Sequence, residues 1–123
     1  MESLGWIFLI AHGFTGVLIV LLCRPLIKRE VEPNKWYGFR IPMAYRSDAD
    51  WYRVNEVGAR HMSVAGWILV LVGCLAPFLD FGTEEQLNGW VLWPVACADI
   101  ILLVAVVSAI GVLKKGAGDQ DET

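Results

Sequence analysis

The sequence predicts an all-α membrane protein with three transmembrane helices, the second extended into the cytoplasm, and a structured cytoplasmic loop between the first and second. Three observations carry this. Apolar residues are gathered into three blocks, those blocks contain no Lys or Arg, and every basic residue falls on one side of the membrane that the blocks define. A chain of 123 residues, 56% hydrophobic and 19% charged, has room for one domain, placed at residues 1–116. The small, polar tail 117–123 is expected to be disordered.

The first block, residues 6–22, has His12 as its one ionisable group. The second, 62–81, and the third, 90–113, are longer. A bilayer core of about 30 Å takes roughly 20 helical residues, so all three qualify as spans, the first at the short end. A cleaved signal segment is not expected from the first block: no Lys or Arg precedes it, and "CRPLIKRE" follows it instead of a small-residue cleavage site. Of the 10 Lys and Arg residues, Lys114 and Lys115 follow the third span and the others lie in the loop 24–61. None precedes the first span or lies in the connection 82–89. The positive-inside rule then puts the N-terminus outside and both the loop and the C-terminus in the cytoplasm. The net charge of −3 adds nothing, because orientation depends on where basic residues fall.

The loop has two halves. Pro25, Pro33 and Pro42 predict an irregular, extended first half, since each disfavours helix in the residue before it. At Ser47 the pattern changes: "SDAD" places Ser47 at an N-cap with Asp50 three residues on, and Trp51, Val54, Gly58, Met62 and Ala65 follow at helical spacing. One long helix over about 48–80 is expected, its first turns projecting from the bilayer, with Arg53, Glu56 and Arg60 as charge partners on another face. The stretch "EPNKWYGFR", Glu32 to Arg40, must return the chain to the base of that helix. Asn34 suits an Asx turn, Gly38 a positive φ, and Trp36 and Tyr37 the headgroup level. Arg40 brings five donors for a carboxylate, a carbonyl or a lipid phosphate. The stretch is expected to clamp onto the helix with Asn34, Arg40 and Asn55 in one polar cluster, Gly38 as its turn and Trp51 as its apolar floor. The same surface can also receive a partner.

The segments "PNKWYGFRIP" and "DADWYRVNEVG" resemble the SdpI family of small bacterial membrane proteins. The positions that carry the resemblance are Asn34, Gly38, Arg40, Trp51, Asn55 and Gly58. Ile41 stands where the family often has Thr. The resemblance implies a non-enzymatic protein of the bacterial inner membrane, associated with immunity to secreted toxins or with linked signalling, and therefore a peptide toxin or membrane protein as partner. No cofactor and no direct contact with nucleic acid is expected.

Inside the spans, ionisable residues are candidates for function because burying them is costly. His12 and Asp99 are expected at depths of roughly 9 and 14 Å from the outer surface, close enough to pair. Such a pair could hold a proton or ligand, although fixing helix register is the simpler role. Cys97 and Asp99 are about 200° apart around a helix, so no metal site is expected. The cysteines are expected to be buried thiols. Small residues, among them Gly13, Gly16, Gly66, Gly73, Ala105 and Ala109, permit close helix approach within one chain or between copies. A homo-oligomer, or a subunit packed against a larger membrane complex, therefore stays open as the alternative.

Overall fold

The computed structural model describes residues 2–78 and 93–121. They form three helices, α1 (Glu2–Ile27), α2 (Asp48–Leu75) and α3 (Trp93–Asp121), with 3-10 turns at Pro42–Tyr45 and Ala76–Phe78. No strand occurs among the described residues. Each helix contains a segment long and apolar enough to cross a membrane: Gly5–Ile27, within Asp48–Phe78, and Ala96–Lys115. The connection 82–89 and the start of the third span at residue 90 lie outside the described residues. The α3 backbone stays helical to Asp121, through part of the tail whose composition predicts disorder.

Two boundaries follow directly from local chemistry. Ser47 caps α2: its Oγ accepts the Asp50 N–H at 3.1 Å, and its carbonyl accepts Trp51 N–H at 2.9 Å. At the other end, the helix passes into the Ala76–Phe78 turn at Pro77, where a missing N–H and a fixed φ stop it. The end of α1 differs from expectation. Pro25 lies inside the helix, so the loop begins at residue 28 and not at 24. The cost of the missing N–H is offset at the cap, where Arg29 N–H donates to Leu26 O at 3.2 Å and Glu30 N–H to Pro25 O at 3.0 Å. This is a Schellman closure, and it holds Leu26 and Cys23 in a cluster with Ala59 of α2.

The helices run antiparallel, with α2 between the other two. A membrane supplies no hydrophobic drive for helix association, so backbone approach and van der Waals contact must do it. On the α1–α2 seam a Cβ on Gly16 would collide with the Gly66 carbonyl, and one on Gly73 would sit 2.9 Å from Gly13 N. On the α2–α3 seam Ala65, Ala105 and Ala109 are buried. These small residues are thus used within one chain. The outward faces carry Ile10, Phe14, Leu71, Val104 and Val107, all exposed, as lipid-facing positions require. The expectation of three buried thiols is corrected: Cys23 is buried, Cys97 intermediate and Cys74 exposed. Gly73 takes the seam against α1, and its neighbour Cys74 is therefore rotated about 100° away from it.

Candidate functional site

The loop 28–47 folds into a clamp that joins all three helices at one end of the bundle. Asn34 builds its first corner. The Asn34 Oδ1 accepts N–H groups from Trp36 at 2.8 Å and Tyr37 at 2.7 Å, while its Nδ2 donates to Glu32 O at 2.8 Å. A short polar side chain beside Pro33 closes this turn from its own position, satisfying two amides that the irregular chain would leave open. Tyr37 OH then donates to the Leu22 carbonyl of α1. Burial pushes the Tyr37 phenol up from its ordinary pKa, with Cys23 adding to the same direction.

Gly38 turns the chain with φ +112°, a conformation that L side chains rarely adopt. Its consequence is the next contact, Phe39 N–H to Asn55 Oδ1 at 2.6 Å. Asn55 is 2% exposed, and its Nδ2 donates back to Trp51 O at 2.9 Å. One buried amide thus ties the loop to α2 by using both of its polar ends. The Phe39 ring lies on Gly58, where a Cβ would be 2.8 Å from Cδ2; Gly58 is the seat for that ring. Trp51 is fully buried, donates Nε1–H to Val31 O at 2.9 Å, and lies against the Tyr45 ring at 5.6 Å between centroids. Leu113 of α3 joins Trp51, Val54 and Ala44 in one cluster, which brings the third helix to the clamp.

The six motif residues therefore meet in one region, but the single polar cluster expected of three of them does not form. Arg40 does not reach Asn55. Its Nη1 donates to Lys35 O at 2.6 Å, and the residue is exposed. Asn34 and Asn55 bind different stretches of loop backbone, and the physical reason is the Gly38 turn, which carries Arg40 to the outer side while aiming Phe39 N–H inward. Trp36 is 90% exposed beside it.

A second junction was not legible in the sequence. Arg29 has a positive φ of 59°, costing a residue with a Cβ about 1 kcal/mol. Its guanidinium places Nε and Nη2 each 2.8 Å from Glu56 Oε2, while Arg60 Nη2 sits 2.9 Å from Oε1. Arg60 is the i,i+4 partner foreseen; Arg53 instead points to Met43 Sδ at 3.9 Å, with its Nε unpartnered. Hydrogen bonds first from Arg29 and then from Arg60 hold the Glu56 carboxyl below its ordinary range. A carboxyl depressed in the folded state stabilises at pH above the ordinary carboxylate range, and that contribution is lost as pH falls through the depressed value. Glu56→Gln is accordingly expected to melt lower at neutral pH and to lose part of the acid-induced fall in Tm. Melting curves that stay parallel down to acid pH would contradict this.

His12 and Asp99 line one cavity of about 270 Å³, with Thr15, Leu69 and Leu102. His12 is buried, with Nδ1 3.1 Å from Phe8 O and its ring 5.5 Å from that of Phe8. Asp99 is exposed on α3. The cavity is bounded by all three helices, with His12 on α1, Leu69 on α2 and Asp99 on α3.

Three apolar spanning helices joined by a folded loop define a multi-pass helical membrane protein. The chain belongs to the SdpI/YfhL protein family, whose model matches residues 30–113, a stretch that takes in the clamp from Glu30 onward, α2, and α3 as far as Leu113. This is not a known enzyme family. No curated protein and no solved structure matches the chain.

Proposed function

We propose that the protein is a non-enzymatic immunity or signalling component of the bacterial inner membrane, which meets a peptide toxin or a protein partner at the membrane and engages a cytoplasmic partner through the exposed side of the clamp. The N-terminus faces outward and the clamp and C-terminus face the cytoplasm, as the distribution of Lys and Arg supports. The observation that carries the proposal is the presentation of Trp36 and Arg40. Two side chains of the kinds that anchor interfaces stand exposed on a loop whose backbone is fixed from beneath by Asn34 and Asn55. A loop held this firmly orders its binding residues before the partner arrives, which lowers the entropic cost of association.

A second reading, an accessory subunit within a larger membrane complex, is favoured by α3. Its apolar window is 17% buried in the monomer, against 28% for each of the other two. A host strain lacking the protein distinguishes the two. The first reading predicts sensitivity to a secreted toxin that wild type relieves and that Trp36→Ala with Arg40→Ala, still folded, does not. Full protection by the double variant would overturn a role for the clamp surface. A stoichiometric large complex purified in mild detergent, with no change in toxin sensitivity, would establish the second reading instead.

A further inference from the structure

We infer that the groove between α2 and α3 is a binding site for an anionic phospholipid, with the headgroup at Arg60 and an acyl chain laid along the seam. This goes beyond the proposed function and does not depend on it. The groove encloses about 380 Å³ and its walls are almost wholly apolar. Val64, Ile68 and Val104 line it, all exposed in the monomer. Arg60, His61 and Ser108 form the polar mouth at the clamp end. From Arg60 to Ile68 the α2 wall extends about 12 Å into the apolar layer, at 1.5 Å per residue. An occupant that fits must therefore be charged at one end and apolar along the rest.

The charge at the mouth sets the sign of that end. Arg60 uses Nε and Nη2 on Glu56, which leaves the remaining donors of a five-donor fork for another acceptor. Glu56 is shared with Arg29, so the three groups together carry a net positive charge. His61 has Nδ1 2.9 Å from Val57 O, which leaves its Nε2 edge to the mouth. Lys114 and Lys115, exposed at the same end of α3, add two positive charges. A phosphate diester meets this potential, whereas a zwitterionic headgroup brings an ammonium that does not. Arginine is also the side chain suited to a phosphate's geometry.

The test uses the full chain purified in detergent and titrated with phosphatidylglycerol or phosphatidylcholine of identical acyl chains, with bound lipid counted by native mass spectrometry. Wild type should retain phosphatidylglycerol about fivefold more strongly, the effect of one basic group near an anionic surface. Arg60→Gln should bring the ratio close to one. Val104→Phe, which fills the groove from an exposed position, should reduce retention of both lipids. Glycerol phosphate, which has the anion but no chains, should displace nothing. Equal retention of the two lipids by wild type, an unchanged preference in Arg60→Gln, or undiminished binding in Val104→Phe would overturn the site. Displacement by glycerol phosphate would make it a free-anion site, and a lipid-free dimer would give the groove to a second copy; either result overturns the inference.

Discussion

Asn55→Ala is expected to destabilise the protein by about 3 kcal/mol, seen as a lower midpoint of unfolding in detergent. Its amide joins Phe39 N–H to Trp51 O at 2.6 and 2.9 Å, in a position 2% exposed to solvent. Truncation leaves the Phe39 N–H without its acceptor in a part-buried place, and a buried unsatisfied group costs about 1–3 kcal/mol. The cavity left among Trp51, Phe39 and Leu26 adds to that. Asn55→Asp is the informative companion: it keeps the acceptor for Phe39 N–H and loses the donor to Trp51 O, while placing a charge where one is costly. Both variants should melt well below wild type. An Asn55→Ala protein with unchanged stability would show that the loop is held by its other contacts.

Gly38→Ala is expected to cost about 3 kcal/mol for two separate reasons. A φ of +112° is strained for any residue with a Cβ, by roughly 1–3 kcal/mol. The added methyl would also collide with Asn55 Oδ1, so the Phe39 hydrogen bond must lengthen or break. The two reasons separate in a double variant. With Asn55→Ala already present the collision disappears and the strained φ stays, so the pair should fall short of the summed single effects by about 1 kcal/mol, within the usual range for contacting residues. Strict additivity would mean that the Gly38 turn and the Asn55 amide do not meet.

The contrast between these residues and Arg40 shows what the sequence could convey. Asn34 after a proline and Ser47 before an acidic first turn each announce a local conformation through residue type, because the side chain that satisfies the backbone lies within three residues of it; Gly38 announces its turn by lacking a Cβ. The three spans were legible for a similar reason: length and hydropathy act segment by segment. Arg40 was misplaced because five donors on a long side chain fit many acceptors, and the direction of the Gly38 turn decides which one it meets. The Arg29–Glu56 pair spans the whole loop, and nothing local marks Arg29 as the residue that takes a positive φ. Pro25 suggested a helix end; the Schellman closure that carries α1 on to Ile27 depends on Leu26 packing against Ala59, a contact set by tertiary structure. Gly58 was legible as a position on one helix face and in the motif, but its occupant, the Phe39 ring, could not be named from spacing.

Residues 28–47 form a folded clamp seated on α2. Hydrogen exchange at single amides tests it most directly. In the wild-type protein in detergent, the Trp36, Tyr37 and Phe39 amides should exchange far more slowly than open-loop amides, since each donates to a side-chain oxygen at 2.8, 2.7 and 2.6 Å respectively. Asn55→Ala should release Phe39 while Trp36 and Tyr37, held by Asn34, keep most of their protection. Exchange of all three in the wild type at the rate of an unstructured chain would contradict the clamp.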